Sequence, residues 1–246
     1  QRAGAAAAEW AAELVADRER PILVLAGPGN NGGDAFELAM LLQRRFFSVF
    51  LVFSGTAASL PADAAAAFQR FAEAGGVLHD DIPAETRWGL IVDGLFGIGL
   101  SRAPTGRQAE LIDAANRLSR RDACPLLALD CPSGLNADTG QVFAPVITAS
   151  HTITFISAKP GLLTADGPDH CGEIRVARIG LDPAINFPSP GAQLALGDFF
   201  SHLKPRLKNS HKGSFGSAGI LGGSKTMLGA ALLAGRAALK LGSGLV

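Results

Sequence analysis

Short apolar runs alternate with amphipathic segments along the first two thirds of the chain. The apolar runs carry few polar side chains, which is typical of strands buried on both faces of a parallel sheet. These predicted strands are 21–26, 47–53, 90–93, 126–130, 151–156 and 174–179. The segments with helical spacing of apolar residues are 5–16, 35–45, 61–74 and 108–121. Strands that alternate with helices predict right-handed βαβ units. The expected fold is α/β, a Rossmann-like three-layer αβα sandwich with a mostly parallel central sheet.

The pattern changes after Ile185. The stretch 185–211 contains several prolines and a basic cluster, which is typical of a domain junction. One predicted strand, 218–221, and one helix, 229–241, follow it. We therefore divide the chain into a domain at 1–192 and a segment at 193–246. A single βα unit cannot bury its own apolar surface, so the segment packs on the first domain, pairs with another chain or, as we favour, begins a larger domain.

Composition narrows the classes of protein that the chain can represent. Of the 246 residues, 48% are hydrophobic and 18% are charged, enough to form a sizeable core. The 22 basic and 22 acidic residues cancel, which argues against binding nucleic acid or an anionic membrane through a basic face. No apolar run reaches the roughly 20 residues that span a bilayer, and we recognise no signal peptide. The three cysteines form no CxxC pair and favour a reducing compartment, so we expect a cytoplasmic protein.

Polar and glycine-rich segments follow three of the predicted strands. The first strand is followed by the segment 27–34, which ends in Asp34. A later strand ends in Asp93 and continues into glycines at 94, 97 and 99, and another ends in Asp130, with Ser133 shortly after it. Ligands of open parallel sheets bind beyond the carboxyl ends of the strands. We therefore expect the three carboxylates to meet in one crevice.

Gly27, Gly29 and Gly32 match the pattern G-x-G-x-x-G between a strand and a helix. Such a loop can bind a phosphate through backbone amides and the helix N-terminus. Equally, the glycines can serve only a tight turn, with Asp34 capping the following helix. An ordinary dinucleotide site has an acid after the second strand, where this chain has Ser54 and Gly55. The spacing leaves both interpretations open and disfavours an ordinary dehydrogenase.

The same segments carry hard oxygen donors, which are suited to a simple cation. Asn31, Asp93 and Ser133 supply amide, carboxylate and hydroxyl oxygens. No histidine lies in a spaced pair typical of a transition-metal site. A strand-end aspartate can instead close an Asx-turn or cap a helix, and that alternative stays open for Asp93 and Asp130 taken singly.

Three motifs in this order resemble the YjeF N-terminal family, the NAD(P)H-hydrate epimerases. They are AGPGNNGGD at 26–34, VDGLFGIG at 92–99 and LDCPSGLNADTG at 129–140, and the resemblance extends over about 1–190, including KPGL at 159–162. The segments 211–216, 222–224 and 229–236 resemble the opening of the ADP/ATP-dependent NAD(P)H-hydrate dehydratase that is often fused behind the epimerase. That resemblance implies the first βα unit of a ribokinase-like domain.

The resemblance implies a metabolite-repair isomerase that interconverts the R and S forms of hydrated NADH or NADPH at nicotinamide C6. It also implies a bound potassium ion and a homodimer. The implied potassium ligands are Asn31, Asp93 and Ser133. The implied substrate-binding residues are Asn30, Asn31, Gly32, Gly33, Asp34, Gly97, Ile98, Gly99, Leu100, Ser101, Arg102, Ala103 and Asp130. ADP or ATP would serve only the dehydratase domain, which is a lyase. We expect that domain to be incomplete here. We also expect the N-terminal end of the family's first conserved segment to be incomplete.

Asp130 is our candidate for the acid/base group at the C6 hydroxyl. Once protonated, that hydroxyl can leave with help from the ring nitrogen, and water can return on either face. The alternative is a non-catalytic, dimeric binding or scaffold domain of the same fold. Such a domain could lose its acids, whereas Asp34, Asp93 and Asp130 are all present here.

Overall fold

The computed structural model describes residues 1–181, 191–201 and 205–246. The chain divides into two compact units, Gln1–Ile185 and Asn186–Val246. The division expected from sequence, after residue 192, lies a few residues later, and part of the expected junction lies outside the described residues. Among the helices that the structure describes, none is long and apolar enough to cross a membrane.

The first unit is built on a seven-stranded sheet in which every pair of neighbours is parallel. The strands are β1 (Ile22–Ala26), β2 (Val49–Phe53), β3 (Leu78–His79), β4 (Leu90–Gly94), β5 (Leu126–Leu129), β6 (His151–Phe155) and β7 (Glu173–Ala177). Their order in the sheet is β3-β2-β1-β4-β5-β6-β7, so the sheet grows outward in both directions from β1 and β4. The expected parallel α/β sheet is confirmed.

Helices cover both faces of this sheet. Alternate residues of β1 point to opposite sides: Ile22 and Val24 join one apolar cluster, and Leu23 and Leu25 join another. The first cluster contains side chains of α1, α2 and α3, and the second contains those of α4. The helices of this unit are α1 (Arg2–Leu14), α2 (Asn30–Arg44), α3 (Ala62–Glu73), α4 (Gly106–Asp122), α5 (Pro160–Leu163) and α6 (Gly167–Cys171). The expected three-layer arrangement is therefore confirmed.

The structure corrects the start of one helix in the first unit and adds one short strand. α2 begins at Asn30 with Gly29 as its N-cap, whereas the sequence suggested a turn through residue 33. Asp34 therefore lies inside the helix, so the alternative in which Asp34 caps this helix is excluded. β3 is only two residues long and half exposed, too short to show an alternating pattern, and the sequence did not reveal it.

The second unit contains one long helix, α7 (Leu228–Leu241), which has no buried residue. The strand expected at 218–221 is wrong: that stretch is irregular, and its neighbour Ser217 forms only an isolated bridge with Leu245. Apolar side chains such as Leu221 and Leu232 are exposed. A strand needs a partner along its length, and the described part of this unit supplies one bridge.

Candidate active site at the carboxyl ends of β1, β4 and β5

The order in which successive strands are added to the sheet changes direction between β1 and β4. β1 pairs with β2 on one side and with β4 on the other, so the chain leaves these two strands toward opposite halves of the sheet. Such a switch point leaves a crevice at the carboxyl ends of the strands, where ligands of parallel sheets bind. The three polar segments singled out from the sequence all begin at this edge.

The glycine-rich segment is shaped by close backbone packing. A Cβ on Gly27 would lie 1.8 Å from the carbonyl oxygen of Leu95, and one on Gly32 would lie 1.9 Å from that of Gly27. Gly29 has open space around the position of a Cβ. Gly27 is thus required by the close approach of the loops after β1 and β4, and Gly32 by the tight turn that leads from β1 into α2. This observation favours the tight-turn interpretation for Gly27 and Gly32.

Asp93, Ser133 and Asn31 belong to one hydrogen-bonded cluster. The Asp93 carboxylate accepts hydrogen bonds from the Ser133 hydroxyl (2.7 Å) and the Ser133 amide (2.8 Å). Asn31 donates from Nδ2 to the carbonyl oxygens of Phe96 (2.8 Å) and Leu129 (3.1 Å). The Phe96 amide in turn donates to the Ser133 hydroxyl (2.9 Å). The structure therefore brings the three expected cation ligands into one network that joins α2, β4 and the loop after β5.

The oxygen atoms of this cluster fit a simple cation. Asn31 Oδ1 is buried and has no hydrogen-bond partner in the part of the chain that the structure describes. Asp93 is fully buried, and the loss of hydration raises the pKa of its carboxyl to about 6. A buried amide oxygen without a donor and a buried carboxylate both gain from a positive charge nearby.

Asp130 follows β5 in a strained backbone conformation. Its φ is +65°, and the Cys131 amide donates to the Leu129 carbonyl (2.7 Å), which forms a γ-turn of a rare kind centred on Asp130. Asp130 Oδ2 accepts a hydrogen bond from the Ile98 amide (3.2 Å), and Oδ1 forms an ion pair with Lys159 (2.7 Å). Strain of this kind persists only where the surroundings enforce it, and it is frequent at functional sites.

Asp34 is the third carboxyl singled out from the sequence, and it lies near the start of α2, the helix that follows β1. Burial raises its pKa to about 6, and the negative charge of Asp130 acts in the same direction. The burial of Asp34 therefore makes this carboxyl a candidate to hold a proton near neutral pH.

The raised pKa of Asp34 predicts how stability depends on pH. The folded-state value of about 6 lies above the ordinary 3.8. The ionisation of Asp34 therefore destabilises the fold progressively as the pH rises from about 4 to about 6, and it has no such effect at lower pH. Asp34→Asn removes this titration. We expect the unfolding free energy of the variant, relative to the parent protein, to rise over that interval by up to about 3 kcal/mol.

Urea unfolding followed by circular dichroism at a series of pH values measures this difference. Asp113→Asn, at an exposed position of α4, is the matched control, and its difference from the parent should not vary with pH. If the difference in unfolding free energy between Asp34→Asn and the parent did not vary with pH, the raised pKa of Asp34 would be contradicted.

The remaining expected substrate residues differ in exposure. Ile98 is 62% exposed, and Gly99, Ser101, Arg102 and Ala103 are also exposed, so the loop after β4 presents most of its length to solvent. Leu100 is 8% exposed, Gly33 lies against Ala64 of α3, and Asn30 is exposed at the start of α2. The structure thus unites Asn31, Asp130 and Gly97 closely, with 2.9 Å between a Cβ on Gly97 and Asp130 Oδ2.

Lys159 is a residue of this crevice to which the sequence assigned no role. It belongs to the quoted KPGL motif, so the motif was the available signal. Its contact with Asp130 links two segments that are far apart in the sequence, and periodicity gives no information on such a pair.

The family described as YjeF-related protein N-terminus matches residues 1–161 of the chain. The chain belongs to this family. A protein of Bordetella pertussis named NAD(P)H-hydrate epimerase is 43% identical over 189 residues, which cover 75% of this chain and 80% of that protein. The crystal structure of yeast ynu0 superposes with a TM-score of 0.58 at 17% identity, covering 76% of this chain and 85% of the yeast chain, and supports the fold.

Two bifunctional relatives match the chain from end to end. The bifunctional NAD(P)H-hydrate repair enzyme Nnr of Escherichia coli K12 is 41% identical over 247 residues, covering 100% of this chain and 47% of the enzyme. A bifunctional NAD(P)H-hydrate repair enzyme of Leishmania braziliensis is 35% identical over 260 residues, which cover 100% of this chain and 45% of that enzyme. The chain spans about half the length of these relatives.

Proposed function

We propose that the chain is an NAD(P)H-hydrate epimerase that interconverts the R and S forms of hydrated NADH and NADPH at nicotinamide C6. The observation that carries this proposal is the strained Asp130. Its carboxylate is held by Ile98 N and Lys159 Nζ at the switch point of the sheet. Relatives that carry the epimerase name provide independent support. The fold alone would permit many chemistries, so the argument rests on this site.

The proposed reaction moves one proton at the C6 hydroxyl. A proton passes to the hydroxyl oxygen, the C6–O bond breaks with its electrons going to oxygen, and water leaves as the lone pair of N1 forms a double bond to C6. Water then adds to C6 from the opposite face and gives a proton back to the protein. Asp130 exchanges this proton, and Asp34 is a second carboxyl that can hold one near neutral pH. The same groups serve both directions.

A coupled assay tests this function. A mixture of the hydrate epimers is given to the protein together with a separate ATP-dependent dehydratase that consumes the S form, and the R form is followed by chromatography. We expect the R form to disappear at a rate proportional to the concentration of the protein. Disappearance no faster than without protein would overturn the proposal and favour the non-catalytic scaffold alternative.

We further propose that Asn31, Asp93 and Ser133 hold a potassium ion. Support comes from the unpartnered Asn31 Oδ1 and from the buried Asp93, whose described hydrogen-bond partners are the Ser133 hydroxyl and backbone amides. When bound, the ion would compensate the charge of the Asp93 carboxylate and join the segments that carry its ligands. These residues would bind and orient the ion, and Asp130 remains the group that exchanges the proton.

The cation proposal predicts a potassium-dependent gain in stability that requires Asp93. In potassium chloride, compared with choline chloride at equal concentration, the melting temperature of the parent should rise by several degrees, because binding to the folded state alone stabilises it. Asp93→Asn should lose most of this rise, whereas Asp138→Asn, at an exposed loop position, should keep it. Equal responses of the parent and Asp93→Asn to potassium would rule out the ligand role.

For the second unit we propose that it is the start of an ADP/ATP-dependent dehydratase domain of the ribokinase-like class. The support is that the E. coli bifunctional enzyme matches this chain over its full length. The exposed apolar side chains of α7 are also what a helix of a larger domain would bury. Dehydration would be an activity of that larger protein.

A further inference from the structure

Lys159 connects the ends of two neighbouring strands. Its Nζ lies 2.7 Å from each of three acceptors: Asp130 Oδ1, Thr154 Oγ1 and the carbonyl oxygen of Phe155. An ammonium group has three N–H donors, and these three acceptors use all of them. The side chains of Lys159 and Asp130 are 15% and 14% exposed, so the pair is largely shielded from solvent at the edge of the crevice.

β5 and β6 end in the same unusual turn. Asp130 after β5 has a φ of +65°, and Ile156 after β6 has a φ of +73°. In each turn the next amide donates to the carbonyl two residues earlier, from Ser157 to Phe155 in the second case (2.9 Å). Turns of this kind hold the backbone under strain. The turn at Ile156 reverses the chain after β6, and the chain then returns Lys159 to the strand end.

We propose that Lys159 is a positioning residue for the epimerisation. It holds Asp130 Oδ1 so that Oδ2, on the Gly97–Ile98 side, is presented to the substrate in one orientation. This inference rests on the proposed function. Lys159 acts through Asp130 and does not itself contact the substrate, because its three donors are already bound within the protein. Removing it should therefore change the rate of the chemical step much more than the binding of substrate.

The test compares Lys159→Met, Lys159→Gln and Lys159→Arg with the parent and with Lys208→Met, a change at an exposed lysine of the second unit. In the coupled assay we expect Lys159→Met and Lys159→Gln to lower kcat by about 100-fold with KM within about threefold, since small misplacements of a catalytic group have effects of that size. Lys159→Arg keeps the positive charge and should recover at least about tenfold of the loss, although a planar guanidinium cannot meet all three acceptors as an ammonium does. Lys208→Met should behave as the parent.

Three results would overturn the positioning role: Lys159→Met and Lys159→Gln that keep kcat within about threefold of the parent, a loss that falls on KM instead, or Lys159→Arg no more active than Lys159→Met. Melting temperatures are measured for all variants, and if Lys159→Met does not fold, the Gln variant carries the same expectations. A parent protein without epimerase activity would refute the proposed function. An active parent with active Lys159 variants would refute only the positioning role.

Discussion

Asp130→Asn is expected to lower the rate of epimerisation by about 10²–10⁴-fold, the usual contribution of a positioned acid/base group. Asparagine has nearly the size of aspartate, and its side-chain oxygen can still accept from the Ile98 amide or from Lys159. It cannot take up and return a proton at neutral pH. The loss should therefore fall on kcat, with little change in KM.

The fold of this variant should persist, because the sheet and both apolar clusters are independent of the carboxyl group. Near-ultraviolet circular dichroism and the melting temperature check this point. Asp138→Asn, eight residues further along an exposed loop, is the matched control and should keep the parent rate. Near-parent turnover by Asp130→Asn would remove Asp130 from the mechanism.

Gly27→Ala is expected to lower the unfolding free energy by about 3 kcal/mol, at the upper end of the usual cost of overpacking. The added methyl group would lie 1.8 Å from the Leu95 carbonyl oxygen, a backbone atom that can move only if the loop after β4 moves. The Gly27 amide also donates to the Gly94 carbonyl (3.0 Å), so the two loops would separate at a shared hydrogen bond. For a domain of this size we expect a fall in melting temperature of about 6–12 °C.

Gly29→Ala is the matched control within the same motif. No atom lies within 4 Å of the position of its Cβ, and its backbone is extended with a φ of −108°. Its melting temperature should stay within about 2 °C of the parent value. Equal melting temperatures for the two variants would contradict the close packing of the loops after β1 and β4.

The fold was largely predictable because its signals are local. The apolar run of β1, buried on both faces, and the amphipathic α4 each follow from side-chain periodicity. The predicted start of α2 was wrong because the residues 30–33 have the composition of a turn. The helix nevertheless begins at Asn30, and Gly32 and Gly33 pack closely against neighbouring backbone. The prediction of a strand at 218–221 was wrong, because an apolar run in the sequence does not show whether a partner strand exists.

The sequence predicted those residues of the site that the strand order of the sheet brings together. Asp93 and Asp130 end neighbouring parallel strands, so their proximity follows from the strand order. The role of Lys159 depends on the reversal of the chain after β6, where Ile156 has a positive φ. No sequence pattern identifies this turn, because isoleucine rarely adopts a positive φ. Such long-range contacts need the folded chain.

The most direct measurement of the central claim starts from the purified S form of the hydrate and, separately, from the purified R form, without any dehydratase, and follows the appearance of the other form by chromatography. The account predicts that the parent protein brings S and R to the same ratio from either pure form, at a rate proportional to its concentration, and that Asp130→Asn does so at least about 100-fold more slowly. Interconversion at the protein-free rate, or equal rates for the two proteins, would contradict it.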